Sequence, residues 1–242
     1  MNRKWITIAT LLAAGLLVTL ASGCGYIFTS TGPLQTESRT VELADAESVD
    51  VDLRMGAGQL DIEGGADALM EAEFTYNVPE WEPIVDYSVS GGQGELTVRQ
   101  PDVEQLGLDD YRYEWDLRFA EDVPLDLDVD LGAGQSTLDL AALSLTGLTV
   151  EIGAGQTTVD LNRAWEQDLD VEIRGGVGEA TIYLPADVGV RAEVAGALGD
   201  LNVTGLSRED DGYVNDAFGE TEATLTLDIE GGIGQINLEV VE

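Results

Sequence analysis

Along most of the chain beyond residue 45, apolar and polar residues alternate with a period of two. The plainest run is Leu125-Asp126-Leu127-Asp128-Val129-Asp130-Leu131, and Leu148-Thr149-Val150-Glu151-Ile152 and Leu225-Thr226-Leu227-Asp228-Ile229 repeat it. Successive side chains of an extended chain point to opposite faces, so these runs predict half-buried strands. Outside the N-terminal segment no stretch carries an apolar period of 3.6, and the chain reads as all-β.

Seven glycine turns punctuate the alternation. They are MGAGQLDI from Met55, GGQGELTV from Gly91, LGAGQSTL from Leu131, IGAGQTTV from Ile152, GGVGEATI from Gly175, GALGDLNV from Gly196 and GGIGQINL from Gly231. Four places after the last glycine of each turn stands an aliphatic residue: Ile62, Val98, Leu138, Val159, Ile182, Val203 or Leu238. Those last glycines, at 58, 94, 134, 155, 178, 199 and 234, are spaced 36, 40, 21, 23, 21 and 35 residues apart. A steady period near 21 over 134–199 predicts a β-solenoid, each rung a strand, a glycine corner, a second strand and a return turn. Stacking then buries an apolar face that no rung could bury alone. Glycine suits such corners because it tolerates positive φ. A sandwich of hairpins is the alternative, and the fixed period favours the solenoid. The long early gaps hold aromatic-rich excursions, and Ser207 to Glu222 forms a polar one.

The first residues read as an address. Arg3 and Lys4 precede an apolar run from Trp5 to Leu20, and Ala21-Ser22-Gly23-Cys24 follows. This is the layout of a secretory signal. Leu20-Ala21-Ser22-Gly23-Cys24 resembles a bacterial lipobox, with Ala21 where Leu is usual. That resemblance implies cleavage before Cys24 and acylation of Cys24, palmitate included. Two or more acyl chains anchor stably where one does not. An uncleaved anchoring helix is the alternative, on a run of marginal length for a span. The expected organisation is a lipoprotein signal peptide at 1–23, an acylated Cys with a Ser/Thr-rich tether at 24–40, an N-terminal β region with aromatic excursions at 41–126 and β-solenoid repeats at 127–242. The expected location is the extracytoplasmic face of the cell membrane.

Charge narrows the chemistry. The chain of 242 residues has 47 Asp+Glu against 11 Lys+Arg, a net −36, with no His and one Cys. Loss of Arg3 and Lys4 with the signal would leave 9 basic residues and a net −38. Such acidity excludes nucleic acid as a partner, because phosphate binding needs clustered Lys and Arg. The absence of His removes Ser-His-Asp and Cys-His catalysis and every His-based zinc site. A single Cys cannot form an intrachain disulfide. The body should stand off an anionic membrane and be held there by its lipid. The glycine turns lead into strands rather than helices, so they do not read as phosphate loops. Two places after the last glycine, where calcium-binding nonapeptide repeats need Asp, stand Leu60, Leu96, Ser136, Thr157, Ala180, Leu201 and Ile236. No catalytic residue, metal site or cofactor follows from the sequence.

Two surfaces are candidates for binding. Stacking at the 21-residue period lines up Asp128, Thr149 and Asp170, and beside them Asp130, Glu151 and Glu172. At the strand spacing of about 4.8 Å, two unit charges repel by about 0.9 kcal/mol in water. This acid ladder is either a cation surface or a solvated face that keeps the protein soluble. The second surface lies in Tyr111 to Phe119, where Tyr111, Tyr113 and Trp115 share one strand face, with Trp81 in the preceding excursion. Exposed, these rings could stack on sugars. Buried, they are core beneath an added hairpin.

The repeated units VDLGAGQSTLDL and VEIGAGQTTVDL resemble the toast-rack family of bacterial adhesin-like proteins. They are also similar to the C-terminal domain of the cell-wall-active-antibiotic response proteins. The resemblance covers most of 45–242 and implies an envelope-exposed, non-enzymatic β-solenoid with no catalytic residues to transfer. The expected function is a membrane-anchored surface or binding module, with an envelope glycan or a membrane protein as possible partner. An envelope-stress regulatory subunit is the alternative from another class, and a carbohydrate-active enzyme a third.

Overall fold

The computed structural model describes residues 31–102, 110–196 and 198–242, so the signal sequence and Cys24 lie outside the described residues. The described residues form fifteen strands: β1 Gln35–Val41, β2 Ser48–Gly64, β3 Met70–Tyr76, β4 Ile84–Ser90, β5 Gln93–Arg99, β6 Tyr113–Phe119, β7 Leu125–Asp139, β8 Leu145–Asp160, β9 Leu169–Pro185, β10 Gly189–Ala195, β11 Leu198–Thr204, β12 Ser207–Glu209, β13 Gly212–Val214, β14 Thr224–Glu230 and β15 Ile233–Val241. The one other regular element among the described residues is the 3-10 turn Pro79–Trp81. All the strands join in one open sheet.

The long strands β2, β7, β8 and β9 show why glycine recurs. In β7, Leu125, Leu127, Val129 and Leu131 are buried, and then Ser136 and Leu138. The step from 131 to 136 is odd, so the inward face switches sides at Gly132-Ala133-Gly134. β2 makes the same switch between Met55 and Leu60, and β8 between Ile152 and Thr157. Side chains from both halves of these strands enter one hydrophobic core. Gly58, Gly134, Gly155, Gly178, Gly234 and Gly199 lie opposite one another from strand to strand.

At these corners the backbones come closer than a side chain allows. Gly155 has φ +147°, and a Cβ on it would lie 1.8 Å from the carbonyl oxygen of Gly134. Gly134 stands in the same relation to Gly58. Register is therefore set by the glycine column, whatever the spacing in sequence.

Three expectations are corrected here. GGQG at 91–94 is a hairpin turn between β4 and β5: Ser90 pairs with Gln93, and Gly91 and Gly92 have φ +63° and +87°. Positive φ at both central residues is the geometry of a two-residue hairpin loop. Gly94 pairs with Val49, well away from the glycine column. Second, the stack does not follow chain order. β14 and β15 pair with β9, and β10 and β11 lie beyond them. The chain thus passes over one position and later returns to fill it. Buried Asn215 serves the bare backbone at this crossing, donating to the carbonyls of Pro185 (3.1 Å) and Val188 (2.7 Å) and accepting from the Val190 amide (2.9 Å). Third, β1 begins at Gln35 and pairs with β3, so the sheet starts inside the segment expected as tether. The sheet also crosses the expected boundary at 126/127 unbroken, since β2 pairs with β7 from Val49 to Ile62.

Gly155→Val should lower stability by about 1–3 kcal/mol from backbone strain alone, with the displaced neighbouring strand adding to it. Gly91→Asn should leave stability unchanged, because a Cβ there meets nothing within 4 Å and Asn-Gly suits this turn. Urea midpoints of the two variants test this, and equal shifts would show that hairpin and corner glycines do the same work.

Candidate functional site

The aromatic stripe is core. Trp81, Tyr113 and Trp115 are buried, while Tyr111 is 40% exposed. Three of the four rings that could stack on sugars are thus covered, and Tyr111 alone of the four is exposed. The rings pack edge to face: Phe74 on Trp115 at 5.6 Å, Trp115 on Tyr113 at 5.7 Å, Tyr113 on Trp81 at 5.3 Å and Trp81 on Tyr111 at 5.3 Å. Burial pushes the pKa of the Tyr113 hydroxyl up. β3 lies antiparallel on β6, and the rings fill the end of the stack, where no further repeat supplies aliphatic cover.

The acid ladder exists with a different register. Asp128 faces Thr149 and Asp130 faces Glu151, as the period predicts. From β8 to β9, however, Glu172 faces Thr149 and Arg174 faces Glu151. The cause is the glycine column: Gly155 and Gly178 lie opposite each other and are 23 residues apart, so the 21-residue step fails by two. Asp170 falls opposite Thr226. One row across the sheet then reads Asp52, Asp128, Thr149, Glu172, Asp228. The next reads Arg54, Asp130, Glu151, Arg174, Glu230. Arg174 ion-pairs with Glu151 at 2.5 Å, with Glu172 and with Glu230 at 3.9 Å. Arg54, Thr149 and Arg174 interrupt these rows and relieve part of the expected repulsion, while acids still stand side by side at Asp52 and Asp128, Asp130 and Glu151, and Glu172 and Asp228. Asp128 still has a raised pKa, from partial burial first and then from Asp52 and Glu151.

A second concentration of charge lies elsewhere on the sheet. The outer faces of β1, β3, β6, β2 and β7 form a concave wall around a cavity of about 680 Å³. Asp61, Glu63, Glu71, Glu73, Asp116 and Asp139 line it, with Arg39, Arg118, Ser38, Thr40 and Thr137. Of the two arginines, Arg118 shares the strand face of the carboxylates, whereas Arg39 lies opposite buried Ala72, on the other face of β1. Arg118 pairs with Glu71 at 2.6 Å, and Arg39 pairs with Glu37 at 2.5 Å and with Glu82 at 3.3 Å. Asp116 faces Asp61 on one side and Glu73 on the other. Its pKa is raised by partial burial, then by Asp61, Glu73, Glu114 and Glu63. Among the described residues, no group of three or more acids, His or Cys has the geometry to hold a metal ion. The wall suits a diffuse cationic partner better than a single coordinated ion. A faint sequence signal was present: acids at every second position in LDIEG, MEAEF and YEWDLRF.

Because the native Asp116 pKa is raised, the folded state holds this proton more tightly than the unfolded chain. Its stabilising contribution is present below the ordinary value of 3.8 and is lost as pH rises through the native value. Asp116→Asn should therefore raise the melting temperature at neutral pH and leave it unchanged near pH 3. An equal gain at both pH values would assign the effect to packing instead.

Comparison with known proteins places the fold. The family model described as the N-terminal domain of toast_rack matches residues 30–183. The model for the C-terminal domain of the cell wall-active antibiotics response protein LiaF matches 132–238. A crystal structure of a candidate cell adhesion protein from Clostridium sporogenes aligns with 31% identity and a TM-score of 0.81, over 86% of this chain and 100% of that one. A candidate adhesin from Parabacteroides distasonis aligns at 13% identity and a TM-score of 0.27, over 88% and 99% of the two chains. No curated protein matches the chain. With its glycine-cornered parallel strands and a family match over more than half its length, the chain belongs to the toast-rack family.

Proposed function

We propose that this protein is a non-enzymatic surface module of the bacterial cell envelope, anchored through acyl chains on Cys24, and that its acidic concave wall holds a cationic partner. We read its stacked glycine-cornered strands as a β-solenoid. The observation that carries the binding role is the convergence of six carboxylates from β2, β3, β6 and β7 on one concavity, with Arg118 among them. Likeness to a candidate cell adhesion protein supports a surface role, and neither matched family is an enzyme family. The anchor rests on the signal-like segment that ends at Cys24. Envelope-stress regulation is the second reading, favoured by the match of 132–238 to the LiaF C-terminal domain.

Two measurements test the proposal. Cys24→Ser should move the protein from the membrane fraction to the soluble fraction or block its processing. An unacylated, uncleaved N-terminus in native membranes would overturn the anchor. For the binding role, full-length protein in detergent should bind oligoarginine. The triple variant Asp61→Asn, Glu73→Gln, Asp116→Asn should weaken this about tenfold, and Asp126→Asn, Asp128→Asn, Asp130→Asn much less. Equal losses would mean that net charge alone attracts the peptide.

A further inference from the structure

We propose that β11 is a pairing edge for a second copy of this chain, joining two sheets antiparallel about a two-fold axis at Leu201. β11 bonds to β15 alone among the described strands, and the cap formed by β13 and β12 covers β10. The Leu198 amide donates to the Gly232 carbonyl of the preceding strand connection at 2.7 Å. In a parallel ladder, backbone groups point alternately to the two sides, so Leu198, Asp200, Asn202 and Thr204 face β15. The N–H and C=O groups of Gly199, Leu201 and Val203 therefore face outward along the edge.

The sequence of this edge lacks the usual protection. Natural edges are blunted by lysine, proline, bulges, shortness or inward charge. β12, the edge beyond β10, has three residues, two of them charged, and β1 carries Glu37 and Arg39. β4 has no exposed large apolar side chain. β11 has seven residues and one charge, Asp200. Beside it runs a row of exposed apolar side chains in register: Leu198 (70% exposed), Ile233 (59%) and Val177 (55%). Leu201 and Val203 pack against the core and stay partly exposed at the uncovered end.

A second β11 fits this edge, and the register is specific. With Leu201 opposite Leu201, Gly199 meets Val203, and the outward backbone groups of 199, 201 and 203 all find partners. Asp200 meets Asn202, so an acid faces an amide. A slip of two residues would set Asp200 against Asp200 or Asn202 against Asn202. The chosen pairing also keeps faces matched: Leu201 and Val203 of both copies lie on the core side, and the two cores become continuous. Closed two-fold pairing of one patch with itself ends at a dimer.

The net charge of −36 on each copy opposes association, which gives the test its signature. Full-length protein in detergent is measured by sedimentation velocity in low salt and in 1 M NaCl. A monomer–dimer equilibrium shifted toward dimer by salt is expected. Asn202→Lys places a cation opposite Asp200 twice per dimer and should tighten it several-fold at low salt, whereas Asn202→Asp should weaken it by a similar factor. Leu201→Pro removes an edge N–H from each copy and should weaken dimerisation by about tenfold or more. In a Cys24→Ser background, Leu201→Cys should form an interchain disulfide on mild oxidation, since self-paired residues sit about 5.5 Å apart at Cα. A monomer at all concentrations and salts, or a dimer indifferent to both Asn202 variants, would overturn the proposal.

Discussion

Backbone against backbone at the glycine column is the constraint on which the rest of the molecule depends. With a neighbouring carbonyl oxygen 1.8 Å from where a Cβ would stand on Gly155, successive strands can stack only if each brings a residue without a side chain to that level. Everything else follows from that alignment. A slip of one residue would turn every aliphatic side chain outward. A slip of two would set one glycine of a corner against a residue with a Cβ. The columns on either side inherit the register. Gln59, Gln135 and Gln156 line up just beyond the corner, with an amide hydrogen bond of 3.2 Å from Gln135 to Gln156. Ser136 and Thr157, buried one place further on, bond to each other at 2.8 Å. Two hydroxyls can occupy the core only because the register makes them partners.

The same register organises the charge. A chain with 47 acids would be hard to compact if its carboxylates formed unbroken files. On the first halves of the long strands they do not, because Arg54, Arg174 and Thr149 interrupt the rows. On the outer faces of β2, β3 and β6 the interruption is thinner, and carboxylates gather on a curved wall. Strand pairing alone decides between these two outcomes. It follows that charge composition describes the protein poorly, and charge row by row describes it well.

Much of the fold is legible in the sequence. Period-two alternation marks the strands, and GAG marks their corners. What is not legible has particular physical causes. GGQG at 91–94 matches the corner pattern because a hairpin turn and a corner both ask for positive φ, and only pairing distinguishes them. A period of 21 sets Glu172 beside Glu151, whereas the step of 23 between Gly155 and Gly178 puts Arg174 there instead. The aromatic stripe was legible as a strand face, but not whether anything covers it, since that depends on β3 and the turn at Trp81. The acidic wall joins residues 61, 73 and 116, far apart in sequence, and no local pattern announces that meeting.

The order of the strands also governs how the chain can be assembled in time. β9 is complete at Pro185, yet the strands that take its free side, β14 and β15, span Thr224–Glu230 and Ile233–Val241. Between them the chain must make β10 and β11, whose parallel neighbours among the described strands are those same later strands. A nascent or refolding chain can therefore build β2, β7, β8 and β9 progressively, one neighbour at a time. The quarter of the chain after β9 must wait and then close together, as a single long-range event of the kind that folds slowly. Until that closure, the β9 edge is as open as the outermost edge of the finished molecule. The residues that settle the fate of the whole sheet are thus the last ones in the sequence.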